Sequence, residues 1–168
     1  MQDLKQFVVD IPDFPQPGIL FRDISPLLRR HFAATIESVE RLFSESEWDA
    51  IDAVAGIESR GFILASALAE RRGKGFVPIR KKGKLPPPVV DIAYDLEYGT
   101  GVLEMQAGQG RLLLVDDVLA TGGTLAASMV LSRQAGYVVQ GIGVLIDIGI
   151  APGFRCEDQV PRIVLQYG

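Results

Sequence analysis

Between Arg111 and Leu125 the chain reads Arg-Leu-Leu-Leu-Val-Asp-Asp-Val-Leu-Ala-Thr-Gly-Gly-Thr-Leu. Leu112 to Val115 are uninterruptedly apolar, without the alternation of a half-exposed strand, and predict a strand covered on both faces. Two carboxylates, Asp116 and Asp117, follow where such a strand is expected to end. Next comes the small, hydroxylic turn Ala120, Thr121, Gly122, Gly123 and Thr124, which opens onto a helix-like run from Leu125 to Ala135. Glycines let a backbone approach an anion closely, and amides at a helix N-terminus point toward it. Thr121 and Thr124 add hydroxyl donors, while Asp116 and Asp117 suit the diol of a sugar. Strand, paired acids, glycine turn and helix start together predict a sugar-phosphate cradle.

The rest of the chain sets that segment in an α/β frame. Strand patterns at Ile51–Ala55, Phe76–Ile79, Leu112–Val115, Val138–Ile146 and Ile163–Leu165 alternate with helical patterns at His31–Ser44, Phe62–Arg72 and Leu125–Ala135. In the first helix Phe32, Ile36, Val39 and Phe43 fall on one face. The alternation predicts a mainly parallel central sheet with helices on both faces, and ligands beyond the C-terminal ends of its strands. Asp3–Val9 suggests a short helix. The proline-rich stretch from Ile11 to Gly18 suits an ordered surface arm. Between Arg80 and Gly110 the pattern breaks into a basic, proline-stiffened loop and a hairpin or flap around Tyr94–Gly101.

At 168 residues, 48% hydrophobic and with a formal charge of −4, the sequence describes one globular domain with a substantial core. The acidic balance argues against general nucleic-acid binding. No apolar run approaches the ~20 residues of a membrane helix. A lone cysteine, Cys156, forms no internal disulfide and suits a reducing cytoplasm. With one histidine, His31, far from it in sequence, neither a Cys–His nucleophile nor a zinc site is indicated.

Three further constellations carry charge. Gly56-Ile57-Glu58-Ser59-Arg60-Gly61-Phe62 is a second strand–turn–helix start, where the amides from Ser59 to Gly61 can form an anion nest and Arg60 adds a cation. Arg80, Lys81, Lys82 and Lys84 make a cationic cluster suited to a polyanion. The flap carries Glu97 beside Tyr98; a carboxylate on a lid that excludes water is a natural general acid or base. Asp95 is an equally acidic neighbour.

In order along the chain, these blocks resemble the adenine-specific branch of the type I phosphoribosyltransferases. The signature from Val115 to Thr124 is shared by enzymes that use phosphoribosyl pyrophosphate (PRPP). The arm Pro12–Pro15 with Pro17–Pro26, and the flap Leu96–Gly99, mark the adenine branch; Arg80–Pro86 and Leu165–Tyr167 match as well. The resemblance implies the type I fold, with a small N-terminal hood (1–30) and a basic loop and mobile flap (80–110) within a single domain spanning 1–168. It also implies transfer of the 5-phosphoribosyl group from PRPP to N9 of adenine, giving AMP and pyrophosphate in purine salvage.

By the same resemblance, Asp116, Asp117 and Ala120–Thr124 hold the ribose phosphate. Glu58, Ser59, Arg60, Gly61, Arg80, Lys81 and Lys84 face pyrophosphate, the cationic segment acting in its own or a neighbour's site. Backbone groups at Leu20 and Arg22 read adenine while Phe21 packs on its ring, and Glu97 accepts the proton of the base. Mg²⁺ rides on the oxygens of PRPP rather than in a protein cage, and the expected assembly is a cytoplasmic homodimer. Glu58 stands where many relatives have aspartate, a tolerable change if it faces solvent. Pro87 replaces a common glycine, and the flap's Thr100-Gly101 and the short link from Met105 to Arg111 also depart from the pattern. A different purine acceptor, a PRPP-sensing regulator and a PRPP synthetase are the rival readings.

Overall fold

Seven strands form one sheet in the order β5-β6-β4-β3-β7-β8-β9, in a computed structural model that describes residues 3–96 and 99–167. The strands are β3 (Ala53–Ile57), β4 (Gly75–Lys81), β5 (Val90–Leu96), β6 (Gly99–Met105), β7 (Gly110–Leu119), β8 (Tyr137–Asp147) and β9 (Arg162–Gln166). β4, β3, β7, β8 and β9 run parallel, whereas β6 is antiparallel to β4 and β5 antiparallel to β6. The mainly parallel sheet expected from the sequence is present, with an antiparallel hairpin added at one edge. That hairpin is the flap, and its registered pairs run from Val90↔Met105 to Leu96↔Gly99.

Helices cover both faces. Ala55, Ile57, Leu112, Leu114, Ile142 and Val144 join one buried cluster with Leu125, Met129 and Leu131 of α4 (Gly123–Gln134). The alternate positions face the other way: Gly56 meets Ala65 of α3 (Arg60–Arg72), and Phe43 lies against Gly141. Val115, Leu114 and Leu113 are each 0% exposed, so the apolar run of the signature is covered on both sides as it predicts. The strand does not end at the two acids, however. β7 continues through Asp116 and Asp117 to Leu119, because Asp116, Val118 and Leu119 keep their ladder with Val144, Ile146 and Asp147.

The chain divides into two compact units, residues up to Ser38 and residues from Val39 onward, with the sheet in the second. In the first, a 3-10 turn (Leu4–Phe7) takes the place of the expected short helix. The proline-rich arm contains one strand, β1 (Val9–Pro12), paired antiparallel with β2 (Leu20–Asp23). Their connection is closed by Gly18 N donating to Asp13 Oδ1 at 2.7 Å. Helix α1 (Ser25–Glu40) begins six residues before the predicted start and is broken at His31, whose φ/ψ are −134°/32°. The Asp23 carboxylate accepts from Ser25 N at 2.9 Å, with Pro26 just inside the helix. Phe32 is 39% exposed and leaves the predicted apolar face, whereas Ile36, Val39 and Phe43 are buried.

A short helix, α2 (Glu45–Asp49), has no counterpart in the sequence reading. Ser44 and Glu47 form a capping box there, and Trp48 is 1% exposed, its indole N–H donating to Glu40 O at 3.0 Å.

Candidate active site

The two glycine turns meet because their strands are neighbours. β3 and β7 are parallel, with Gly56 paired to Val115, so the turn after Ile57 and the turn after Leu119 emerge at the same sheet edge. Gly61 brings them together: a Cβ there would stand 2.9 Å from Asp116 Oδ1 and 3.1 Å from Val115 O, so a larger residue would push α3 off the acid pair. Gly122 has φ +89°, and its missing Cβ would fall 2.0 Å from the Phe154 ring. Both glycines are required by close approach, one to the acids and one to an aromatic wall behind the turn.

Asp116, Val118, Leu119, Ala120, Thr121, Gly122, Thr124 and Leu125 line a concavity of about 80 Å³ above this edge. Neither α3 nor α4 is capped at its N-terminus by the side chain of its N-cap residue, Ser59 or Gly122, and neither has an acidic residue in its first turn. Their amides and positive dipole ends therefore suit an incoming anion.

The acids are held in a costly arrangement. Asp116 and Asp117 are each only 8% exposed. Asp117 N donates to Asp116 Oδ1 at 2.9 Å, and Arg60 Nε stands 2.7 Å from Asp117 Oδ2 as an ion pair. That contact is not aligned as a hydrogen bond, so Asp117 Oδ2 is buried without one. Burial, then the neighbouring Asp117 charge, pushes the Asp116 carboxyl well above the usual carboxylate range. Burial also raises Asp117, against the pull of Arg60. Such a pair is relieved by hydroxyl donors or cations arriving with a ligand.

Arg60 thus leans on Asp117 rather than projecting into open solvent. Glu58 differs from expectation as well: its side chain does not face water. Glu58 Oε2 accepts from Lys81 N at 2.9 Å and from Arg80 Nε at 3.3 Å, tying this turn to the end of β4. Arg80 also donates to Lys84 O at 3.3 Å, and Lys82 pairs with Asp91 at 3.4 Å. Among the described residues, the Lys81 and Lys84 ammonium groups have no carboxylate partner and remain open to an anion.

The flap approaches the same edge. The Asp95 carbonyl lies 3.4 Å from where a Cβ on Gly123 would be. Glu97 and Tyr98 lie outside the described residues. Leu20, Phe21 and Arg22 all belong to β2 of the first unit, where Arg22 pairs with Asp10 and the Phe14 and Phe21 rings meet edge-on at 5.1 Å. Sequence reasoning missed Phe154, which no local pattern distinguishes, and Glu104, a buried acid in a strand, whose carboxylate accepts from Lys84 N and Leu85 N. An acid facing inward from an otherwise apolar strand end (Leu103, Met105) is the signal that was available.

Comparison with known proteins agrees with this geometry. A family model described as the phosphoribosyl transferase domain matches residues 29–153. The adenine phosphoribosyltransferase of Hydrogenovibrio crunogenus is 48% identical over 165 residues, covering 98% of this chain and 96% of the relative. The crystal structure of adenine phosphoribosyltransferase from Rhodothermus marinus is similar at TM-score 0.84 and 43% identity, covering 97% of this chain and 96% of that one. The Saccharomyces cerevisiae enzyme, complexed with an imino-altritol bisphosphate and adenine, superposes at TM-score 0.90 with 33% identity, covering 98% and 97% of the two chains. The sheet order, the paired acids and the open helix starts are accounted for together: the chain belongs to the phosphoribosyltransferase family, in its adenine phosphoribosyltransferase branch.

Proposed function

We propose that this chain transfers the 5-phosphoribosyl group of PRPP to N9 of adenine, releasing pyrophosphate and forming AMP. The observation that carries this reading is the joint edge of β3 and β7, where two uncapped helix starts flank a buried acid pair. In the proposal, Ala120 to Thr124 and the start of α4 hold the 5-phosphate, and Asp116 with Asp117 accept from the ribose diol. The amides at Ser59–Gly61, with Lys81 and Lys84, neutralise departing pyrophosphate. Breaking the bond from C1 to pyrophosphate leaves positive charge on the ribose ring. Catalysis then rests on alignment of the two substrates and on stabilising the leaving group.

Recognition of adenine by Leu20, Phe21 and Arg22, and proton acceptance by Glu97 beside Tyr98, are parts of the proposal that rest on the family resemblance. So are Mg²⁺, a homodimer and a cytoplasmic setting. Among the described residues no trio of His, Cys, Asp or Glu converges as a metal cage, and the acid pair suits an ion carried in on the oxygens of PRPP. Among the same residues no helix is long and apolar enough to cross a membrane.

Incubating the protein with PRPP, Mg²⁺ and, in turn, adenine, hypoxanthine, guanine and xanthine tests the reading. Pyrophosphate release with adenine alone is expected. Release with another base would reassign the acceptor, and no release with any base would point to a protein that binds PRPP without turning it over. Glu97→Gln is expected to slow the chemical step by ~10²–10⁴ with little change in PRPP binding; a normal single-turnover rate would move the proton acceptor elsewhere.

A further inference from the structure

Glu104 lies in β6 and is 3% exposed. Its Oε1 accepts from Lys84 N and from Leu85 N, both at 2.7 Å. The Gly83 amide is the first of the backbone donors that hold this carboxyl below the usual carboxylate range. Gly83 has φ +84°, the conformation that lets successive amides turn toward one point. Two successive amides, Lys84 N and Leu85 N, converge on Oε1 and form a nest for an anion, and here the anion belongs to the protein.

The nest adds a buried tie to a loop otherwise held by Arg80 donating to Lys84 O, by the exposed Lys82–Asp91 pair and by Gln106 Nε2 donating to Pro86 O at 3.4 Å. The ladder between β4 and β6 has only two registered pairs, Arg80↔Glu104 and Lys81↔Leu103. Beyond it, Lys82 N donates to Val102 O at 3.0 Å, and the Lys84 and Leu85 amides go to the Glu104 side chain. Three prolines, Pro86 to Pro88, then follow with no N–H to offer. β6 is also one arm of the hairpin whose other arm carries Asp95 toward Gly123. A buried carboxylate therefore reinforces the join between the segment that displays Lys81 and Lys84 and the strand that carries the flap.

We infer that Glu104 is a positioning residue, which fixes the 82–85 loop to the flap strand so that Lys81 and Lys84 are presented to the pyrophosphate of PRPP. This rests on the reading of the basic loop proposed above. A carboxylate that merely filled space in the fold would, on removal, weaken every kinetic parameter in step with stability. A positioning carboxylate leaves a selective mark on the substrate that the loop contacts.

The test is a pair of variants assayed in parallel, Glu104→Gln and Lys81→Ala. Replacing a buried acceptor of two amide bonds by an amide is expected to raise the KM for PRPP roughly tenfold, with kcat and the KM for adenine within about threefold. Amide hydrogen exchange at Lys84 and Leu85 should accelerate in the same variant. If Glu104→Gln does not fold, Gly83→Ala disturbs the nest from the loop side, where a Cβ meets nothing within 4 Å, and is expected to raise the KM for PRPP with the same selectivity. An unchanged KM for PRPP in either nest variant, alongside a raised one in Lys81→Ala, overturns the inference and leaves the basic-loop reading standing. Proportional losses in kcat and both KM values overturn it too. An unchanged KM for PRPP in Lys81→Ala removes the basic-loop reading itself, and the inference with it.

Discussion

The start of α2 and the starts of α3 and α4 solve the same problem in opposite ways. A helix leaves its first amides without partners. At α2 the chain supplies them: Ser44 Oγ accepts from Glu47 N at 3.3 Å, Glu47 Oε2 accepts from Ser44 N at 2.8 Å, and Glu45 and Glu47 sit in the first turn. At α3 and α4 the N-cap side chains make no such bond and the first turns hold no acid. The carboxylates divide likewise. Glu47 is held down to about 2, chiefly by its hydrogen bond from Arg162, whereas burial drives Asp116 and Asp117 up. One region is electrostatically complete, and the other is left for a ligand to complete.

The largest effect that would break this contrast comes from the acid pair. Asp117→Asn is expected to lower turnover by ~10²–10³, the typical loss for one preorganised electrostatic contact. The same variant is expected to be more stable than the parent at neutral pH. The sign follows from the raised carboxyl. The folded protein holds that proton more tightly than the unfolded chain, so the group costs stability as pH rises above the unfolded value near 4. The gain in Tm should therefore grow as pH rises above about 4 and level off once the folded carboxyl itself has ionised. Unchanged turnover would remove the role in binding the ribose diol, and a lowered Tm at pH 8 would show the pair to be already satisfied without a ligand.

The next effect comes from giving an open helix start its own anion. Ser59→Asp places a carboxylate at the beginning of α3, where the dipole favours negative charge by about 0.3–1 kcal/mol. Stability should hold or rise slightly, while the KM for PRPP rises, since the new charge competes with pyrophosphate for the same amides. An unaltered KM would mean that the start of α3 does not face the leaving group. The matched change in the complete region is Ser44→Ala, expected to cost about 1 kcal/mol of stability and to leave both KM values and kcat alone. A kinetic effect of Ser44→Ala would erase the distinction between the two regions.

Much of this arrangement was legible because it is written in local pattern. The buried strand Leu112–Val115, the glycine turn and the following helix carry their signals within fifteen residues, and the parallel sheet follows from the spacing of such units. The capping box at Ser44 is equally local, but α2 is too short to show an apolar period, and no element is expected between the helix ending at Ser44 and the strand beginning at Ile51. The end of β7 was misjudged because two adjacent acids resemble a strand terminus. Only the β8 ladder, which is distant in sequence, keeps Asp116 and Asp117 in the strand. The pairing of Glu58 with Arg80 and Lys81, and of Glu104 with Lys84 and Leu85, joins residues about twenty apart, and nothing in either segment alone announces its partner.

The smallest expected effect lies in the complete region and concerns acid. Glu47, with its carboxyl lowered to about 2, pairs with Arg162, which also donates to Leu42 O and lies over the Phe43 ring at 4.7 Å. A depressed carboxyl contributes stability that is fully present above the unfolded value near 4.5 and is lost as pH falls toward 2. The pair is partly exposed and screened by salt, so the contribution is modest. Glu47→Gln should therefore lower Tm slightly at pH 7, with the difference from the parent shrinking between pH 4.5 and pH 2 and with added salt. Catalysis at pH 7 should be untouched, because Glu47 ties α2 to β9, which is separated from β7 by β8 in the sheet. A difference in Tm that persisted unchanged at pH 2 would mean that packing by the side chain, rather than its charge, closes this helix start. The contrast with α3 and α4 would then rest on the missing caps alone.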